Sequence, residues 1–202
     1  MKRIVLVLLI FVVVGGSAFA FDFFSFPDPI EENQILISPT IHLGTLFGWG
    51  GVILGISAAV DYALPLPIPF MAGGEVGFSF FTAQYGPKLI PILARFSWHP
   101  NFEVDGLDTY VRAKMGYSIG FGDSGYGRGG WRGGFSYGTT GGVRYFFNDN
   151  IGVFGELGWD GYGVSYVYDD DYYGSSYYYR NYRWRAWVWT WFHVGATFKF
   201  GG

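Results

Sequence analysis

At 202 residues with 14% of them charged, 22% aromatic and 33 glycines, the chain has the length of one domain but too little charge to coat an ordinary soluble exterior, where about 25% of residues are charged. A formal net charge of -3 lacks the basic surplus that nucleic-acid binding demands, which excludes nucleic acid as a partner. The absence of cysteine leaves the fold to be held without disulfides.

The N-terminus begins with Lys2 and Arg3, continues through an apolar run from Ile4 to Val14, and ends in the small-residue pattern Ala18-Phe19-Ala20. This is the layout of a secretory signal peptide, expected over residues 1–20 with the mature chain starting near Phe21. Its apolar core is too short to cross a bilayer as a helix, and no later stretch reaches about 20 uninterrupted apolar residues. Residues 21–34, with Pro27 and Pro29, are expected to form a periplasmic lead-in to a barrel domain over 35–202.

From residue 35 onward the hydrophobic period is two. Residues 109–121 show it well: Tyr110, Arg112, Lys114, Gly116, Ser118 and Gly120 fall on one parity, Val111, Ala113, Met115, Tyr117, Ile119 and Phe121 on the other. A period of two puts the two sets on opposite faces of a pleated strand. Such segments lie near 35–45, 52–62, 72–82, 89–98, 109–121, 135–147, 151–167 and 187–200, each long enough for a tilted membrane-crossing strand of about 9–11 residues. Eight of them predict an all-β fold, an eight-stranded antiparallel up-and-down transmembrane barrel.

The connections alternate in character. Leu64 to Pro69, His99 to Asp108 and Asn148-Asp149-Asn150 are expected on the periplasmic side; Gly122 to Gly134 and Tyr168 to Ala186 are expected outside. His42, Asp61, Glu75, Arg95, Arg112, Lys114, Arg144, Glu156, Asp160, His193 and Lys199 share the parity that carries most glycines. That parity is assigned to the lumen, because an eight-stranded barrel has room inside only for side chains, and glycines relieve the crowding. The opposite parity, with Val52, Ile56, Val76, Ile92, Val111, Leu157 and Val194, is assigned to lipid. A soluble lipocalin-like barrel would need the reverse, which the low charge disfavours.

Counting heights along the strands places Glu75, Arg95, Arg112, Lys114, Arg144 and Glu156 in one layer, with Glu75 expected to pair with Arg95, and Glu156 with Arg144 or Arg112. Outward aromatics gather at strand ends: Tyr62, Trp98, Tyr145, Phe147 and Phe200 at one edge, Phe80, Phe121, Phe135, Tyr137 and Trp159 at the other. These are the two girdles of a membrane barrel.

The last strand, Trp189 to Phe200, is amphipathic and ends in an aromatic residue before Gly201-Gly202. It resembles the C-terminal assembly signal of outer-membrane barrels. With the leader, the eight two-faced strands and the girdles, the mature chain resembles the small eight-stranded outer-membrane barrels of the OmpA transmembrane-domain, OmpX and OmpW type. That resemblance implies a bacterial outer-membrane location with loops outside, contact with outer-membrane lipid, and engagement of the barrel-assembly machinery by the last strand. It transfers no function.

Apparent chemical motifs are weak. Gly125-Tyr126-Gly127-Arg128-Gly129-Gly130 joins two strands and opens no helix, so it predicts no dinucleotide site. Asp169-Asp170-Asp171 lacks the ligand spacing of a dedicated calcium loop, and His42, His99 and His193 lie too far apart for a zinc signature. No Ser-His pair with an acidic orienter emerges from the strand ends. We therefore expect no catalytic, cofactor or metal site. The strongest functional candidate is the segment 168–186, in which Tyr172, Tyr173, Tyr177, Tyr178, Tyr179 and Tyr182 interleave with Arg180, Arg183, Trp184 and Arg185. Tyr, Trp and Arg dominate binding hot spots, so an extracellular or host surface partner is expected there. The alternative is a narrow channel, or capture of a small apolar molecule at the outer mouth by Trp187, Trp189 and Trp191 with His193.

Overall fold

The computed structural model describes residues 30–46, 51–82, 86–102, 104–122, 130–167 and 183–201. Along them run β1 (Ile35–Leu46), β2 (Val52–Ala63), β3 (Phe70–Phe81), β4 (Lys88–Trp98), β5 (Leu107–Phe121), β6 (Gly130–Phe146), β7 (Ile151–Val167) and β8 (Arg183–Phe200). Each strand pairs antiparallel with the next, and β8 returns to pair with β1, so the sheet closes into a barrel without a free edge. Ile41 faces Ile56 across β1–β2, and Ile35 faces Phe200 across the closing β1–β8 pair.

At the end holding Ile35 and Phe200, the connections are short and locally specified. The Asn148 side chain accepts hydrogen bonds from the backbone N–H of Asn150 (2.9 Å) and of Ile151 (2.8 Å), which turns the chain between β6 and β7. Gly106, with φ of 72°, supplies the left-handed residue that enters β5. We call this the turn end. The opposite, loop end carries the connections after β1, β3, β5 and β7.

Pairing extends further toward the loop end than hydrophobic alternation predicts. The ladder continues to Gly130 opposite Val167 and to Val167 opposite Arg183, so Arg183, Trp184, Arg185 and Ala186 belong to the backbone of β8 and not to a loop. Backbone hydrogen bonding propagates a hairpin wherever both strands stay extended, whether or not the side chains alternate. Three register shifts interrupt the described ladders, between Leu43 and Gly44, Gly133 and Ser136, and Leu157 and Asp160.

The barrel is polar inside and apolar outside. Ile56 is 62% exposed and Leu157 67%, while the charged lumenal parity, from Asp61 through Lys199, is buried. The lumen is filled in three layers. Ile30, Leu36, Ala63, Met71 and Phe146 close the turn end; Ile53, Phe81, Leu89, Leu93, Trp131, Tyr162 and Val164 fill the loop-end half; the charges lie between. Space there is tight. Gly142 sits beneath the ring of Tyr110, and a Cβ on it would meet three atoms of that side chain. Gly142→Leu should therefore cost at least about 1–3 kcal/mol through overpacking, seen as loss of the fast-migrating unboiled band on electrophoresis, with Gly141→Leu, where a Cβ has open space, as the tolerated control.

Candidate functional site

Period-two alternation carries long polar side chains of β2, β3, β4, β5 and β7 to one height in the lumen. There they close a ring of alternating charge. Asp61 lies 3.1 Å from Arg95, Arg95 reaches Glu75 (3.4 Å), Glu75 meets Lys114 (3.4 Å), Lys114 lies 3.9 Å from Glu156, Glu156 accepts from Arg112, and Arg112 returns to Asp61 (3.5 Å). Burying an ion costs several kcal/mol unless opposite charge and hydrogen bonds surround it. The ring supplies the opposite charge through shared partners, while Asp61 Oδ2, Arg95 Nε and Arg112 Nε and Nη2 make no hydrogen bond among the described residues. Lys114 also holds Asp160 (2.8 Å), and Glu156 accepts further hydrogen bonds from Tyr110 (2.9 Å) and Thr140 (3.2 Å). The Arg112 guanidinium stacks over Tyr110, 4.5 Å from the ring centre.

Glu75 with Arg95, and Glu156 with Arg112, are thus brought together. Arg144 is not in the ring: it binds Asp108 at 3.0 Å, one level nearer the turn end. Strand heights alone place Arg144 near Glu156, but the slope of the strands carries it toward the start of β5, where Asp108 waits.

At that same level the structure assembles a group that strand-end spacing does not suggest. Ser97 Oγ lies 2.8 Å from His99 Nε2, and His99 Nδ1 lies 2.7 Å from Asp108 Oδ1. This is a Ser-His-Asp chain. His99 lies in the β4–β5 connection, as expected, but is fully buried there, with the Tyr110 ring 5.3 Å away. Its signal in the sequence is the i, i+2 spacing of Ser97 and His99, which keeps both on one face of a strand end; the partner Asp108 requires the β4–β5 register. Nothing reaches the Ser97 hydroxyl from outside, since Ser97 is 2% exposed and His99 and Asp108 are 0%.

His193 lies in the middle layer, bonded to Thr190 (3.1 Å) and close to Asp160 (3.3 Å), with the His42 ring 5.8 Å away. It is not at the mouth. Trp191 is 49% exposed on the outer face, because the extra residue at the β1–β8 register shift places Trp191 and Phe192 consecutively outward. The side chains of Trp187, Trp189, Arg183, Trp184 and Arg185 lie outside the described part, as do Tyr172, Tyr173, Tyr177, Tyr178, Tyr179, Arg180 and Tyr182 entirely. Among the described residues no group of three or more His, Asp or Glu side chains is arranged to hold a metal ion.

A closed eight-stranded barrel with an ionic interior and an apolar exterior has the fold of the small outer-membrane barrels. Structural comparison agrees. The fold is similar to that of Neisserial surface protein A (NspA), at 12% identity over 83% of this chain and 96% of that one, with a TM-score of 0.53. A major outer membrane protein from Thermus thermophilus also aligns, at 12% identity over 83% of this chain and 99% of that one, with a TM-score of 0.49. No family model and no curated protein matches the chain by sequence.

The Arg144–Asp108 bridge offers a clean energetic test. Arg144→Met should destabilise the barrel by about 3–5 kcal/mol, since it leaves a buried carboxylate short of its cation. Arg144→Met with Asp108→Asn should recover a large part of that loss in urea titrations of the refolded protein.

Proposed function

We propose that the chain is a bacterial outer-membrane protein, exported by a cleaved leader over residues 1–20, whose barrel spans the membrane with a sealed lumen and works through its external loops. The observation that carries this reading is the inverted polarity: outward Ile41, Ile56, Val76, Ile92, Met115 and Leu157 are each more than half exposed, a surface whose natural solvent is hydrocarbon. Outward aromatics support it at both edges. Tyr62, Tyr145, Phe147 and Phe200 are exposed near the turn end; Phe80, Phe121, Phe135, Tyr137 and Trp159 are exposed toward the loop end. Phe200 on the last strand is the residue we expect the assembly machinery to engage.

The charge ring, capped by an apolar layer at either side, leaves the lumen no continuous aqueous path, which favours a scaffold over a channel. The loop end then holds the function, with the Tyr- and Arg-rich stretch 168–182 and the adjoining start of β8 at 183–186 as the surface for an extracellular or host partner. A ligand cup at the mouth is the weaker reading because it has lost Trp191. Catalysis is disfavoured too: the Ser97-His99-Asp108 chain has the hydrogen-bond order of a nucleophilic triad but no room for a substrate.

Unboiled refolded protein should migrate faster than boiled protein in detergent electrophoresis, and planar-bilayer recordings should show no stable pore. A reproducible ion-selective conductance that changes in Arg112→Ala would overturn the sealed lumen. Replacing the tyrosines at 172, 173, 177, 178, 179 and 182 by Ser should keep the heat-dependent shift while lowering adhesion of cells bearing the protein, because exposed loops tolerate change that paired backbone does not. A fluorophosphonate probe should leave Ser97 unlabelled in the folded barrel; labelling of the folded barrel would reopen the enzyme reading.

A further inference from the structure

Charge on the outer surface is divided between the two ends of the barrel. Among the described residues, the exposed charged side chains at the turn end are Glu31, Glu32, Asp105 and Asp149, all acidic; those at the loop end are Lys88 and Arg132, both basic. The remaining charged side chains that are described lie buried in the lumen. Neither Lys88 nor Arg132 makes an ion pair with another described residue. Asp123, Arg128, Asp169-Asp170-Asp171 and Arg180 belong to loop-end connections outside the described residues.

Register puts the two cations on either side of β5. Lys88 pairs with Phe121 on β5, and the backbone of Arg132 lies against Gly120, the preceding residue of β5. They flank a single strand, so two strand spacings, about 10 Å, separate their backbones. Directly toward the barrel's mid-height lies an apolar and aromatic outer surface: Phe80, Phe121, Ile119, Tyr117 and Phe135 are all exposed, with the Phe78 and Phe121 rings 6.1 Å apart.

We propose that Lys88 and Arg132 form a clamp for the headgroup of an anionic, phosphate-bearing lipid in the leaflet around the loop end. Lysine and arginine both bind phosphate oxygens through charge-assisted hydrogen bonds, and the rings beneath them take the upper part of the acyl chains. A lipid matches the surface better than an acidic protein does, because the cations border directly on the apolar and aromatic face assigned to hydrocarbon, where a headgroup joined to acyl chains satisfies both at once. The acidic turn end repels the same lipid. Charge thus sets which leaflet each end of the barrel prefers. The inference rests on the membrane-spanning reading above.

The test uses the full mature protein refolded in phosphatidylcholine micelles, with phosphatidic acid as probe and bound lipid counted by native mass spectrometry. Lys88→Gln with Arg132→Gln should weaken phosphatidic acid binding roughly 30-fold, at the usual contribution of a basic side chain near an anionic surface. Phosphatidylcholine retention and the heat-dependent shift should not change. Lys88→Arg with Arg132→Lys should bind as the wild type, and salt should weaken wild-type binding. Equal phosphatidic acid binding by the Gln variant, or binding insensitive to salt, overturns the clamp while leaving the membrane reading intact. Inorganic phosphate competing as well as the lipid replaces a lipid site with a simple anion site. Failure of the wild type to insert into any lipid overturns both.

Discussion

The alternating ring Asp61–Arg95–Glu75–Lys114–Glu156–Arg112 is the constraint around which the rest of the molecule is arranged. Six ions deprived of water are tolerable only if each keeps opposite charge on both sides, and in this ring each does. That requirement fixes the parity of five strands at once, because a slip of one residue would turn a ring member outward and its apolar neighbour in. It also accounts for the apolar layers above and below. By excluding water they strengthen the attractions inside, which would be screened in an open channel.

The exterior follows from the interior. Once the lumen has taken the polar parity, the other parity must face out, and a closed barrel has no edge along which such a surface could be hidden by pairing with another sheet. Aromatic residues stand exposed at the two borders of this apolar face. Tyr117, which donates to the Gly133 carbonyl (3.1 Å), and Tyr137, edge-on to Trp159 with ring centres 5.2 Å apart, show outward rings tied down as part of the wall.

Much of this is legible in the sequence because a period of two is a strong signal. Parity assigns His42, Asp61, Glu75, Arg95, Arg112, Lys114, Arg144, Glu156, Asp160, His193 and Lys199 to the lumen, and the structure buries each of them; Asp108, expected in a connection, is buried with them. Distance between strands is less legible, since register and slope decide which heights meet. Arg144 falls at a different level from its expected partner for that reason, and the Ser97-His99-Asp108 chain, which needs the β4–β5 pairing, leaves no mark in the spacing. Bulges are invisible: nothing in the residues around Trp191 announces the extra position that rotates it outward. The start of β8 at Arg183 escapes the pattern because strand there is sustained by its partner β7 and not by alternation.

The ring draws its members from β2, β3, β4, β5 and β7, and none from β1 or β8. Across the seam where those two strands meet, His42 stands opposite His193, a pair with no fixed charge. A curled sheet of β2 to β7 could therefore satisfy every ring ion before the barrel is shut. Construction divides into two stages of different kind: an electrostatic one that gathers the middle strands, and a final zipping of the first strand to the last in which no ring ion need be moved. Parting the wall at that seam would separate the first strand from the last without pulling any ring ion from its partner.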